Sequence, residues 1–402
     1  MSRYSASLTA ILVTAQVACG GQSEGESATV LDVQRDSSGA HEIVTVRGPI
    51  QPRSIRSVVE LGTDTPRLDG SRPQDPQDFA WVSSVAVTPS AELLAADLGR
   101  FRVEVFDAST GEHIRTIGSR GDGPSEFESV FSVAPYGDDI LTMDIGNGRT
   151  TRLTRSGEWL ARWRAAGRLV ASPVDFRLYP VGPSEVYQWA YSSDEGLEVP
   201  VWRRYFAGEV DEIPRVLPVV QQSLPDRVVC QMGRGFSWFP HPEATVALAH
   251  PLPGRRSVVA RTDHASFAIL DESGDTLRVV RRDAEEVAMT DQRWSAIAER
   301  YEAWLEDKDV SRCEPRELPR PAVLSALRSL VVDVGGRIWI ERTSEEGTIW
   351  EAFDDTGEPV AAIPSLDHDR ERTVPFFGDR FVAWVTRGDF DIPLVRVGAW
   401  GE

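Results

Sequence analysis

The stretch from Asp97 to Phe127, DLGRFRVEVFDASTGEHIRTIGSRGDGPSEF, constrains the fold more than any other because its pattern recurs along the chain. Phe101, Val103 and Val105 alternate with Arg102 and Glu104, the period of two that belongs to a half-buried strand. Ala108-Ser109-Thr110-Gly111 then carries turn chemistry into a second strand around Ile114 to Ile117. The complete first unit has four short strands: Trp81 to Val87, Leu93 to Ala96, Phe101 to Phe106 and His113 to Ile117. A second unit repeats that order with Val130 to Ala134, Ile140 to Met143, Thr150 to Leu153 and Trp159 to Trp163. Asp97 corresponds to Asp144, and the turn glycine Gly157 follows Gly111 by 46 residues. That interval is close to the ~40 to 45 residues of one four-stranded propeller blade.

Later units are more divergent. A third is expected from Phe176 to Pro218, with strands near Glu185 to Ala190, Trp202 to Phe206 and Arg215 to Leu217. A fourth runs from Phe236 to Arg281, with Thr245 to Ala249, Ser266 to Leu270 and Leu277 to Val280. The fifth has Leu330 to Val334, Arg337 to Glu341, Ile349 to Phe353 and Val360 to Ile363. The sixth has Val374 to Phe377, Phe381 to Thr386 and Leu394 to Val397, and lacks a clear fourth strand. Ser57 to Leu61 is expected to complete it and so remove a free sheet edge. The expectation is an all-β, six-bladed β-propeller with four-stranded antiparallel blades, closed by this N-terminal strand, with seven blades as the competing count. A further strand, His41 to Val46, stands before it.

Between the fourth and fifth units the apolar period changes. Trp294, Ile297, Ala298, Tyr301, Trp304 and Leu305 share one helical face, with Thr290 as N-cap. An amphipathic helix over about 290–307 is expected, inside an insertion spanning 288–326, as a lid on one face of the ring.

Charge and cysteines bear on location. Lys+Arg 43 against Asp+Glu 62 gives a net charge of −19, which repels nucleic acid and anionic headgroups. Arg3 followed by the short apolar run Leu8 to Val17 has the form of a signal peptide and is too short to span a bilayer. Val17-Ala18-Cys19-Gly20 resembles a lipobox, which would make Cys19 a lipidation site. Gln16 stands where that motif usually has leucine, so ordinary signal-peptidase cleavage is the alternative. The chain then divides into a leader (1–19), a small, polar, flexible tether (20–40) and one propeller domain (41–402). With Cys19 set aside, Cys230 and Cys313 remain, either as a disulfide suited to an oxidising compartment or as two separate buried thiols.

Several of these features together look like one family. Asp97 with Arg100, Val105-Phe106-Asp107 before its turn, Gly121-Asp122-Gly123-Pro124-Ser125-Glu126-Phe127, and Asp333-Val334-Gly335-Gly336-Arg337-Ile338-Trp339-Ile340 resemble the six-bladed NHL-like or TolB-like propellers of bacterial envelopes. Ser125 departs from the glycine usual at its position. The resemblance implies a propeller and an exported address, and it brings no agreed catalytic residues.

Candidate chemistry is sparse. Gly118 to Phe127 lacks the Lys-Ser/Thr of a phosphate loop and is expected to be a connector between blades. Its Arg120-Gly121-Asp122 tripeptide has no supporting context. The acidic turns Asp107 to Gly111, Asp144 to Gly148 and Asp271 to Asp275 lack the late glutamate of a calcium loop and fit hairpin turns. His241, Glu243 and His250 do not have zinc-site spacing. Gly182-Pro183-Ser184-Glu185-Val186 fails as a nucleophile elbow at its last position. The expectation is therefore no catalytic residue, no metal set and no cofactor, with a single channel-bound Ca2+ left open. Function is expected to be binding of an envelope protein, peptide or glycan. The alternative is a metal-dependent hydrolase, lactonase or lyase working in the central channel, which blades can build without a linear motif.

Overall fold

The computed structural model describes residues 30–63, 75–164, 177–194, 197–215, 227–232, 235–240, 242–307, 311–314, 319–370, 372–388 and 392–401. Six four-stranded antiparallel units follow one another around a ring. Blade one comprises Val82–Val87, Glu92–Asp97, Arg102–Asp107 and His113–Ile117, and blade two comprises Val130–Tyr136, Asp139–Asp144, Arg149–Leu153 and Trp159–Arg164. Blade three has Leu178–Gly182, Glu185–Asp194, Leu197–Phe206 and Glu209–Pro214, and blade four has Ala247–Leu252, Arg256–Arg261, Ser266–Leu270 and Thr276–Arg282. Blade five has Leu327–Val332, Ile338–Ser344, Gly347–Phe353 and Pro359–Pro364. Blade six takes Phe376–Phe377, Phe381–Arg387 and Pro393–Trp400 from the C-terminal end and Ile55–Leu61 from near the N-terminus.

The paired aspartates explain why the first two units resemble each other. Asp97 ends the second strand of blade one, and its carboxylate accepts the backbone N–H groups of Ala80 and Trp81, just before the innermost strand. Asp144 does the same in blade two for Glu128 and Ser129. Both are fully buried, so each carboxylate needs these bonds to offset its lost hydration. The acidic turns are self-capped: Asp107 accepts from Ser109 and Thr110, and Asp271 from Ser273 and Asp275.

The core lies between blades. Blades one and two share Leu94, Val103, Phe127, Val133 and Ile140, while blades five and six share Trp339, Trp350, Phe377 and Trp384. Trp339 stacks on Phe377 with ring centroids 4.5 Å apart. Each blade presents two apolar faces to two neighbours, and closing the ring covers the last pair.

Four expectations need correction. The third blade's outer strand is Glu209–Pro214, earlier than Arg215 to Leu217. Its innermost strand, Leu178–Gly182, was not anticipated, because Pro180 and Gly182 are poor strand residues, tolerated where pairing is on one side only. The fourth blade begins at Ala247, and Phe236 belongs to a separate three-stranded sheet of Gly235–Pro240, Arg227–Met232 and Ser311–Glu314. Finally, part of the expected tether is strand. Asp32–Asp36 pairs antiparallel with Glu42–Arg47, which pairs in parallel with Thr276–Arg282, widening blade four to six strands.

The small sheet carries the disulfide Cys230–Cys313, whose Cα atoms are 4.0 Å apart. Two of its strands precede blade four and the third follows it, so the bond closes a strap around the whole blade. The helix Asp291–Asp307 lies within that strap, and Thr290 Oγ1 accepts the Arg293 N–H at 3.2 Å as its N-cap. The helix reaches the ring at a blade-five hairpin, where Arg293 pairs with Glu345 at 2.7 Å. Among the described residues no helix is long and apolar enough to cross a membrane.

Candidate functional site

The innermost strands of all six blades surround one cavity of about 50 Å3 on the ring axis. Ser84, Ser132, Tyr179, His250, Val332 and Phe376 line it, one residue from each blade in ring order. That volume holds a few waters or one compact polar group. The adjacent Val85 and Val133 also border the cavity and, like Val332 and Phe376, belong to the apolar core.

A run of polar contacts ties the first three blades together around the cavity. Ser83 Oγ donates to Val130 O at 3.3 Å, and Ser84 Oγ lies 3.5 Å from Ser132 Oγ. Ser132 Oγ accepts the Leu178 N–H at 3.0 Å. Each of Ser84 and Ser132 accepts a backbone N–H, so their own hydroxyl protons serve one another or the cavity.

Among the described residues His250 is the only histidine lining the cavity, and its Nδ1 donates to the Pro251 carbonyl at 3.1 Å. Burial holds its pKa down to about 4, so the imidazole is neutral near pH 7 with its Nε2 lone pair uncommitted to any described residue. The Tyr179 ring meets it edge to face at 4.6 Å. Asp333 also lines the cavity, but its carboxylate accepts from Arg337 Nε at 2.6 Å and Trp339 Nε1 at 2.9 Å. It is structural.

Arg177 is different in kind. It directly precedes the innermost strand of blade three, lines the cavity and is 6% exposed. Its Nη1 donates to Ser83 O on blade one at 3.5 Å and its Nη2 to the Arg372 carbonyl on the loop before blade six. Its guanidinium also faces the Phe131 ring at 5.8 Å. Burial pushes its pKa below the usual arginine value. On the rim nearby, Trp81 is 46% exposed and lies under the Arg372 guanidinium at 5.4 Å. Arg372 thus links the partly exposed Trp81 ring to the buried Arg177 cation.

Of the candidate trio His241, Glu243 and His250, the structure brings His250 to the cavity and does not bring Glu243 there. Glu243 pairs with Arg328 at 2.7 Å and caps the Ser325 N–H, well away from His250's role, and His241 lies outside the described residues. Cys19 also lies outside them. Among the described residues no group of three or more His, Cys, Asp or Glu is placed to hold a metal. The connector is held by blade two: Arg149 donates to the carbonyls of Asp122, Gly123 and Glu126, and Ser125 Oγ donates to Gly157 O at 3.0 Å. Ser125 therefore makes a contact that glycine would not. Arg177 was missed, although a signal exists. Trp81, Ser129 and Arg177 recur at intervals of 48 residues, each directly before an innermost strand.

Comparison with solved structures finds the same architecture. A member of the DUF4221 family from Bacteroides vulgatus matches with a TM-score of 0.50 at 12% identity, covering 88% of this chain and 99% of that one. A protein described as exported from Bacteroides fragilis matches with a TM-score of 0.44 at 10% identity, over 88% of this chain and 96% of that one. BamB from Moraxella catarrhalis matches with a TM-score of 0.37 at 11% identity, over 86% of this chain and 100% of that one. No family model and no curated protein matches the sequence. At such identities the likeness concerns the fold alone.

Proposed function

We propose that this chain is an exported propeller, anchored to a membrane through Cys19, that binds an envelope protein, peptide or glycan at the channel mouth. The observation that carries the binding role is that buried Arg177 lines the axial cavity on which every innermost strand converges and is linked through Arg372 to the exposed ring of Trp81. Aromatic and arginine side chains around a concavity are the groups that dominate recognition energetics. The Cys230–Cys313 disulfide supports an oxidising compartment, and the leader-like segment before Cys19 supports export.

Site-specific photocrosslinking in cells tests the face. A probe at position 81 is expected to capture a defined partner that a probe at the equally exposed Trp159, on an outer strand, does not capture. Equal capture from both positions would remove the channel mouth as the binding face. Anchoring is tested by Cys19→Ala, which is expected to move the protein from the membrane to the soluble fraction. Unchanged fractionation would reject the lipid anchor.

A further inference from the structure

Arg177 is a buried cation with no carboxylate within 4.0 Å among the described residues, unlike the buried Arg203 and Arg282. Arg282 is buried against Glu351 at 3.0 Å, and Arg203 against Glu212 at 3.0 Å. Arg149 shows the purely structural solution, with three carbonyl bonds of 2.6 to 2.8 Å. Among the described residues Arg177 has only two carbonyl partners, one at 3.5 Å, and what separates it from Arg149 and Arg203 is this thin bonding at Nη1 and Nη2, since the buried Nε is without a partner in all three. The acidic groups that act on it are the Tyr179 phenol and, more weakly, Asp369, whose Oδ2 is already taken by Arg387 Nε at 2.6 Å. A guanidinium has five N–H donors, so several remain for a ligand. Leaving such a charge uncompensated in the interior is costly.

We infer that the axial cavity receives a carboxylate, which pairs with Arg177 and takes hydroxyl donors from Ser84 or Ser132. The cavity of about 50 Å3 suits one such group and little more. The planar edge of the guanidinium matches a carboxylate. The net charge of −19 disfavours a doubly charged phosphate more than a singly charged carboxylate. The group is either a free small acid or the acidic end of a larger ligand lying across Trp81. This inference deepens the channel-mouth reading and rests on it.

Thermal unfolding of the purified protein tests it at matched ionic strength with four probes. These are sodium acetate, an N-acetylated dipeptide with a free C-terminal carboxylate, the same dipeptide amidated, and sodium chloride. Acetate and the free-acid dipeptide are expected to raise Tm by about 1 °C or more at saturating concentration, and the other two to leave it unchanged. A shift with acetate alone identifies a small free acid. A larger shift with the dipeptide identifies the end of a longer ligand. Arg177→Met should abolish the shift and Arg177→Lys should weaken binding about tenfold, since the ammonium loses the planar fork. Equal shifts for acid and amide in the wild-type protein overturn the inference, even if Arg177→Met fails to fold. Position-81 crosslinking that persists without an acid-dependent shift removes the carboxylate and leaves the binding module standing. An acid-dependent shift with no preferential position-81 adduct does the reverse.

Discussion

Glu60 and Arg396, 336 residues apart in the chain, are cross-strand neighbours, and Arg396 Nε donates to Glu60 Oε2 at 2.7 Å. This pair sits on the seam where the N-terminal strand completes blade six. Its charges are half exposed, so the pair marks the register without supplying much of the closure energy. Val59 and Leu61 on the same strand are buried between blades six and one, and they carry the closure.

The first prediction follows from that contrast. Glu60→Ala is expected to change stability by less than about 1 kcal/mol, whereas Leu61→Ala should cost about 2 to 4 kcal/mol. Urea unfolding of the two variants measures the difference, and equal costs would show that the seam is held by charge.

A second prediction concerns the strap around blade four. Cys230 and Cys313 are separated by 83 residues, and bonding them restricts the unfolded chain by about 2 to 4 kcal/mol. Cys230→Ser with Cys313→Ser is expected to lower stability by that order. The double variant should become susceptible to limited proteolysis near Arg227–Met232 before the blades are cut. Early cleavage inside blade one instead would contradict a local role for the bond.

Two glycines on the first blades should respond differently to alanine. At Gly118, with φ of +87°, a Cβ would fall 2.3 Å from the Phe127 ring, which is buried beneath the connector. At Gly148, with φ of +60°, nothing lies within 4 Å. Gly118→Ala is expected to cost about 3 kcal/mol or more, and Gly148→Ala about 1 kcal/mol. Thermal unfolding ranks them, and the reverse order would contradict the packing of the connector.

His250 sets a pH dependence whose sign is fixed by its environment. Its pKa is about 4 in the folded chain against 6.5 for an ordinary histidine, so between those values the unfolded chain takes up a proton that the folded chain refuses. Stability from this residue is complete above pH 6.5 and is lost as pH falls toward 4, by about 3 kcal/mol in all. His368 is also shifted down by burial and adds to the same window. His250→Gln is therefore expected to flatten, without abolishing, the fall in urea midpoint from pH 6.5 to 4. An unchanged slope would show that His250 is not desolvated.

The blades most legible in the sequence are those whose local signals agree. In blades one and two, alternating residues, Asp97 or Asp144, and a Ser/Thr-Gly turn point to the same strands, and the structure places them within a residue or two. The helix was legible for the same reason, since Thr290 and the apolar face act over a few turns. Blade three was hard to read because Pro180 and Gly182 break the pattern of an innermost strand that is paired on one side only. The continuation of blade four by Glu42–Arg47 was invisible, because parallel pairing across 236 residues leaves no local trace.

The amino-acid sequence alone determined the four-stranded repeat and pointed to an early strand as the closing one, because these follow from periods and turns among neighbouring residues, while the choice of six blades over seven came with the observed closure. Only the tertiary structure decided that Arg177 stands on the axis, bridging Ser83 and the Arg372 carbonyl, while His250 and not Glu243 faces the cavity. Burial, and the lack of a carboxylate partner among the described residues, are properties of surroundings drawn from blades one, two and three and the loop before blade six. No stretch of consecutive residues records them.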